Sequence, residues 1–391
     1  MEFDTWWLLA LPLFFALGWL AARVDIKQLL TESRNLPRSY FRGLNFLLNE
    51  QPDKAIEAFI EVVKVEKETV ELHFALGNLF RRRGELERAI RMHQNILDRE
   101  DLAPEQRLMA VHELGQDYLK SGLLDRAEEL FSRLIGTTWE QRGLKYLLEI
   151  YEQEKDWAKA IEASRKMDAI TGDSSAKDIA HFYCELAAGD LAHQRYDDAR
   201  RYIDEALTVN RKCTRANMIL GDLHAARGEF AAAVDAWKRV EGQSPAYLSL
   251  LADRFLNAFR KLDSESQGIA LLRGYLERYP SLDLLNAVFQ AVLESEGTAA
   301  AQALLREELR RNPTLIGLSR LIEIQIAEAP ADRRHDLELT RSLIEQHSRG
   351  LSLYRCDSCG FRARQFYWHC PACHGWETYV PRRAEERELA A

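Results

Sequence analysis

The chain has 391 residues, enough for two or three domains or for one extended repeat array. Hydrophobic residues make up 47% of it and charged residues 29%, which excludes an intrinsically disordered chain. A net charge of −8 argues against a general nucleic-acid binder, although it leaves room for a local basic patch.

The first segment, residues 1–23, is predicted to be a transmembrane helix. Its stretch TWWLLALPLFFALGWLAA, residues 5–22, lacks charged residues and would span about 27 Å as a helix, close to the thickness of a bilayer core. Acidic residues precede it and basic residues follow it, which predicts a cytoplasmic remainder after a juxtamembrane linker over 24–35. The alternatives are a cleaved signal peptide, disfavoured by the acidic start, and a buried soluble helix.

A repeat with a period of 33 to 39 residues follows the linker. Alanine marks it at six positions: Ala55, Ala89, Ala127, Ala160, Ala199 and Ala233. Glycine stands twelve residues before four of these alanines: Gly43, Gly77, Gly115 and Gly221. This pattern is typical of tetratricopeptide repeats, in which two antiparallel helices cross at small residues. Further glycines, as in RRRGELERA, stand where the first helix of a repeat must end.

The repeats predict an all-α superhelix over 36–347 with a concave groove for a peptide or a protein. Six repeats are clear to about residue 245. Pro245, Pro280 and Pro313, near the ends of second helices, extend the array through two or three degenerate repeats. The alternative is a generic helical bundle.

Five polar residues on first helices are predicted to face the groove and bind a partner: Asn78, Arg81, Arg82, Gln116 and Lys120. An asparagine and an arginine there suit a backbone amide or a carboxylate. The alternative is a solvated charge run. No phosphate-binding glycine loop, HExxH motif or nucleophile elbow occurs in the sequence, which favours a protein that is not an enzyme. His181 and Cys184, three residues apart, are interpreted as packing residues rather than half a metal site.

Four of the six cysteines lie near the C-terminus, in the module over 350–381 that precedes a tail over 382–391. Cys356, Cys359, Cys370 and Cys373 have the spacing C-x2-C-x10-C-x2-C, in which two tight turns present four thiolates to one tetrahedral metal ion. Zinc and iron both accept four sulfur ligands, and a structural role favours zinc. A disulfide pair is the alternative, disfavoured by the cytoplasmic side. The stretch FRARQFYWH between the pairs fits a short hairpin.

So small a module has little hydrophobic core of its own. We therefore expect it to pack on the last repeats through aromatic side chains: Phe366, Tyr367, Trp368 and Trp376.

The combination of anchor, repeats and four-cysteine module resembles the lipopolysaccharide assembly protein B family. The segments that carry the resemblance include GLNFLLNEQPDKAIEAF, IAHFYCELA, YRCDSCGF and YWHCPACHGW. It implies a single-pass inner-membrane protein with a periplasmic N-terminus and a rubredoxin-like metal module packed on cytoplasmic repeats. It also implies an adaptor that promotes degradation of the deacetylase LpxC by the membrane protease FtsH, opposed by an inner-membrane antagonist and linked to the lipopolysaccharide assembly machinery.

Two other functions stay open at the level of the sequence, and so does self-association. One is electron transfer by an iron site, although His374 stands where rubredoxin-type knuckles usually carry glycine. The other is a nucleic-acid-binding zinc ribbon that would use Arg355, Arg362, Arg364 and Tyr367, which the overall charge disfavours, so no nucleic-acid partner is expected.

Overall fold

The computed structural model describes residues 38–49, 51–65 and 70–388, together with Phe15 and Trp19. Apart from these two residues, the predicted transmembrane helix and the linker lie outside the described residues. None of the described helices is long and apolar enough to cross a membrane. The chain divides into two compact units, one ending at Glu154 and the other beginning at Lys155.

The first unit is entirely helical in its described part, and consecutive helices pack as pairs. These are α1 (Arg38–Leu48) with α2 (Pro52–Val65), α3 (Val70–Arg82) with α4 (Leu86–Leu97), and α5 (Pro104–Lys120) with α6 (Leu124–Ser132), followed by α7 (Glu140–Glu154).

The second unit continues the pattern and ends in a small sheet. Its helices are α8 (Trp157–Thr171), α9 (Ala176–Ala192), α10 (Tyr196–Val209), α11 (Thr214–Ala226), α12 (Phe230–Gln243), a 3₁₀ helix (Pro245–Leu251), α13 (Ala252–Lys261), α14 (Glu265–Arg278), α15 (Leu282–Glu296), α16 (Thr298–Arg311), α17 (Leu315–Glu328) and α18 (Ala331–Ser348). Pro245, Pro280 and Pro313 each follow a helix end by two residues, as the sequence predicts. The protein is therefore a mostly helical tetratricopeptide-repeat fold with a small C-terminal strand module.

Close contacts between paired helices explain the repeated small residues. The six marker alanines are fully buried. A Cβ atom added to Gly77 would lie 2.4 Å from the ring of His93, and one added to Gly221 would lie 2.2 Å from the ring of Trp237. In both cases the ring belongs to the residue sixteen positions later, on the second helix of the pair. A side chain at the glycine would therefore force the two helices apart.

In five of the repeats, the turn between the two helices has a left-handed residue five positions before the marker alanine. Gly84, Gly122 and Gly228 have φ values between +76° and +80° there, where glycine adopts a positive φ without steric cost. Lys155 and Gln194 take the same position with φ near +60°. The glycines thus predicted this turn in three repeats, whereas Lys155 and Gln194 adopt it without a sequence signal.

The C-terminal sheet has three short antiparallel strands in the order β2–β1–β3, namely β1 (Tyr354–Cys356), β2 (Arg362–Ala363) and β3 (Tyr379–Arg383), and α19 (Ala384–Glu388) follows. The expected hairpin between the two cysteine pairs is wrong, because β2 pairs back with β1 across the first cysteine turn. β3 also crosses the predicted boundary between module and tail, so the structured module extends into residues 382–388.

Candidate metal centre and its contacts with the repeats

The four cysteine sulfurs of the C-terminal module form a compact cluster. Their Sγ atoms all lie within 4.8 Å of one another. The Sγ atoms of Cys356 and Cys373 are 3.7 Å apart, and those of Cys359 and Cys370 are 3.8 Å apart. A tetrahedral site with metal–sulfur bonds of about 2.3 Å has sulfur–sulfur edges of about 3.8 Å, whereas a disulfide requires about 2.05 Å. The cluster therefore fits one tetrahedral metal ion and does not contain disulfides.

Two similar turns hold the sulfurs. In the first, burial of Cys356 opposes ionisation, but the Thr378 hydroxyl and the backbone amides of Cys359 and Ser358 outweigh it and lower the pKa of that thiol to about 6. In the second, burial of Cys370 raises the pKa of that thiol to about 12 despite backbone hydrogen bonds. Amide donors at the sulfurs favour thiolates, the form that binds metal.

The residue after each cysteine pair has a positive φ. Gly360 has φ +78° after the first pair, and its amide donates to the Cys356 carbonyl at 3.0 Å. His374 takes the same place after the second pair with φ +56°, and its amide donates to the Cys370 carbonyl at 2.9 Å. The two turns therefore have the same backbone form, even though a histidine replaces the glycine in the second.

Aromatic side chains of the module pack on the repeats of the second unit. The Trp368 ring stacks on Tyr247 with centroids 4.8 Å apart and an interplanar angle of 8°. Trp376, which is 6% exposed, stacks on His181 at 4.9 Å and 11°. Phe366 packs with Trp368 against the hydrophobic core that runs through α11–α17. These rings bury the module against helices distant in sequence.

Tyr367 differs from this expectation. Its ring lies 5.8 Å from that of Tyr379, within the module's own small core. The side chain of Tyr367 therefore packs within the module and not on the repeats.

Charged groups frame the aromatic contact. Lys177 lies 3.0 Å and His181 3.1 Å from the Glu377 carboxylate. Burial raises the pKa of Glu377, but His181 and Lys177 outweigh it and lower that pKa to about 2. The Arg215 guanidinium lies 5.5 Å from the Trp368 ring centroid and 5.8 Å from that of Trp376. The module therefore contacts the repeat surface through both aromatic stacking and ion pairs.

A second group of polar contacts fixes the far end of the module. Arg383 donates to Asp283 at 2.6 Å, and the Tyr354 hydroxyl donates to the same carboxylate. Glu386 accepts from the backbone amide of Leu282 at 2.7 Å, at the first residue of α15. Glu385 accepts in the same way from the amide of Leu315 at the start of α17. Both carboxylates satisfy amides that the helices themselves leave unpaired.

The predicted groove residues fall into two groups. Arg81 donates to Asp117 at 2.9 Å, to Glu113 at 2.5 Å and to Asn78 at 2.6 Å. Asp117 also lies 2.5 Å from the ring of His93, and both side chains are fully buried. Arg81 thus links neighbouring repeats within the chain, and Asn78 supports it from the same helix, which excludes the solvated alternative for Arg81. Partner binding by Asn78 and Arg81 stays a prediction.

The remaining predicted groove residues are Arg82 and Lys120, which are exposed, and Gln116, which is half-buried beside His112 at 3.2 Å. Partner binding by these three residues stays a prediction.

Comparison with known proteins agrees with both parts of the fold. The Rubredoxin metal binding domain profile matches residues 354–381, and the Tetratricopeptide repeat profile matches residues 42–98 and 184–247. The lipopolysaccharide assembly protein B of Escherichia coli K12 is 35% identical over 96% of this chain and 97% of its own length. The protein of the same name from Haemophilus influenzae is 31% identical over 95% of this chain and 97% of its own. The chain belongs to the lipopolysaccharide assembly protein B family.

Among solved structures, a tetratricopeptide repeat protein from Parabacteroides merdae is 14% identical, covers 74% of this chain and 99% of its own, and has a TM-score of 0.33.

Membership in the lipopolysaccharide assembly protein B family confirms the resemblance drawn from the sequence. The sequence alone does not reveal the repeat-side contacts of the metal module. It gives His181 as a packing residue without naming Trp376 as the ring on which it packs. Tyr247, Arg215 and Asp283 carried no local signal, because their partners lie about 70 to 150 residues away in the chain.

Proposed function

We propose that this chain is a non-enzymatic adaptor in lipopolysaccharide assembly. The name of its relatives, lipopolysaccharide assembly protein B, supports a role in lipopolysaccharide assembly. The repeats support the adaptor role, because arrays of this kind commonly present surfaces to protein partners. The observation that carries the proposal is the metal module, which is held on the repeats by stacked rings and ion pairs. Such a module shapes a recognition surface.

The proposal extends to the membrane and to proteolysis. A single helix at the N-terminus anchors the chain in the inner membrane, with the repeats on the cytoplasmic side. There it brings the deacetylase LpxC to the protease FtsH, under the control of an inner-membrane antagonist. Confinement to the plane of the membrane raises the effective concentration of an adaptor near a membrane protease. Deleting residues 1–22 should therefore raise LpxC levels at matched abundance.

The metal in this proposal is zinc in a structural role. The four thiolates suit zinc and iron, and a structural role favours zinc. Metal analysis of the purified chain decides between the two. One zinc per chain with no visible absorption is expected, whereas iron with visible absorption would support a rubredoxin-like electron carrier.

The double variant Cys356→Ser, Cys359→Ser tests the adaptor role of the module. It removes two of four ligands, so metal content should fall and LpxC should accumulate in cells although the repeats are intact. The matched control is Ser358→Ala, which alters an exposed side chain of the same turn and keeps the backbone amide that donates to Cys356. Normal LpxC turnover by the metal-free double variant would overturn the role of the module.

A further inference from the structure

The outer face of the module carries three arginine side chains without an ionic partner among the described residues. We name Arg355, Arg362 and Arg364 the edge surface. All three are exposed. No hydrogen bond or ion pair of these three arginine side chains occurs among residues 38–49, 51–65 and 70–388. The surface is therefore a local positive patch on a chain whose net charge is −8.

Two of these arginines are held directly opposite each other. Arg355 on β1 pairs with Arg362 on β2. The Cys356 amide donates to the Phe361 carbonyl at 2.9 Å, so the adjacent pair of Arg355 and Arg362 is the non-hydrogen-bonded kind, in which side chains come closest. Like charges in this arrangement destabilise a sheet. An anionic group bound between the two arginines would remove that repulsion.

The same geometry leaves a free backbone edge. β2 is one of the two outer strands of the sheet. In a non-hydrogen-bonded pair, the N–H and C=O groups of Arg362 point away from β1, toward the open side. An extended peptide can add to such an edge through its backbone, while its alternate side chains meet the residues of the edge strand.

The edge surface is also separate from the contact with the repeats. On the opposite face of β1, Tyr354 and Cys356 are buried. Tyr354 donates to Asp283 on α15, so that face points toward the repeats. A ligand at the edge surface would not displace the module from the array.

We infer that the edge surface binds an acidic, extended segment of a partner protein, which adds as a strand to β2 and places carboxylates between Arg355 and Arg362. The inference deepens the adaptor proposal, on which it rests for the biological setting. The free backbone edge favours a peptide over a nucleic acid or a lipid surface, because neither of those supplies strand hydrogen bonds.

The test uses the full-length, metal-loaded chain and a fluorescein-labelled peptide of alternating glutamate and valine, with lysine in place of glutamate in the control peptide. Fluorescence anisotropy should show binding of the acidic peptide and no binding of the lysine control peptide. The double variant Arg355→Ala, Arg362→Ala should weaken it about tenfold, in line with the loss of two exposed ionic contacts. Arg349→Ala, which changes an exposed arginine before the sheet, should leave it unchanged.

A second comparison isolates the backbone. Arg362→Pro and Arg362→Ala remove the same charge, but only proline also removes the outward N–H, and proline is tolerated at such an edge. The proline variant should bind more weakly than the alanine variant while retaining its metal. Equal affinities for these two variants would overturn strand addition.

Unchanged peptide binding by the double arginine variant would overturn the assignment of the binding site to the edge surface. Binding to oligodeoxythymidine or to phosphatidylglycerol vesicles without binding to the acidic peptide would overturn the choice of ligand. Each of these results leaves the LpxC response to the cysteine variants intact, so a failure here is distinguishable from a failure of the adaptor proposal.

Discussion

Replacing Trp368 with alanine should release the metal module from the repeats without removing the metal. The Trp368 ring stacks on Tyr247 in the 3₁₀ helix and lies beneath the Arg215 guanidinium. Its own module is held together by other groups, namely the four thiolates and the ring of Tyr379. The substitution therefore acts on the contact with the repeats.

The magnitude follows from what the ring contacts. Truncation of a buried tryptophan to alanine costs about 3–5 kcal/mol, and a stacked aromatic pair contributes about 0.5–1.5 kcal/mol beyond burial. Trp368 is only half-buried, so we expect a total near 2–4 kcal/mol. The ratio of undocked to docked module should rise by about 30-fold to 1,000-fold.

Hydrogen exchange of the full-length, metal-loaded chain measures this change. Amides of residues 245–251 and the first turn of α11 should lose protection in Trp368→Ala, while metal content stays at the wild-type level. The matched control is Phe361→Ala, which truncates an exposed aromatic ring of the same module. If both variants protect residues 245–251 as the wild type does, the stacking contact does not hold the module and the reasoning is wrong.

Two further predictions concern the first unit. Gly77→Leu should lower the melting temperature well below that of Glu87→Leu, because the new side chain meets the His93 ring whereas Glu87 is exposed. Overpacking of this kind costs about 1–3 kcal/mol. Equal stability of the two variants would mean that the repeat register is wrong. Burial raises the pKa of Glu113, but His112 and Arg81 outweigh it and lower that pKa from the ordinary 4.5 to about 2. The contribution of Glu113 to the free energy of unfolding is therefore complete above pH 4.5 and is lost as the pH falls toward 2. The protection factors of the amides of residues 110–120, which are corrected for the pH dependence of intrinsic exchange, should fall in that window, and Glu113→Gln should flatten this acid response.

The repeat fold could be predicted because its signals are local. Gly77 and Ala89 mark one helix pair by themselves, since a small residue is needed wherever two helices touch. The metal cluster could be predicted for the same reason, because each pair of cysteines lies within one turn. Both features depend on spacing over a few residues or on one repeated period.

The partner of a side chain in the next repeat was not predictable in the same way. Arg81 was expected at a groove, and its charge alone fits that role. Its carboxylate partners, Glu113 and Asp117, stand more than thirty residues later and meet it only when the two repeats stack. Tyr367 shows the same limit within the module, because the direction of its side chain depends on the path of an irregular segment.

The sequence positions of the docking groups connect the metal site to the repeat surface. Trp368 precedes Cys370 by two residues, and Trp376 follows Cys373 by three. Tyr354, which contacts Asp283, precedes Cys356 by two. The cysteine turns therefore set the spacing and direction of the rings that meet the repeats.

A module so small depends on its metal for a fixed backbone, so loss of two ligands should disorder these docking groups together. The double serine variant of Cys356 and Cys359 should consequently expose the amides of residues 245–251, far along the chain from either cysteine. In Trp368→Ala the same amides should lose protection while the metal is retained. A double serine variant that keeps residues 245–251 protected would show that docking does not require the metal, and the module would then act as a tethered domain rather than as part of the repeat surface.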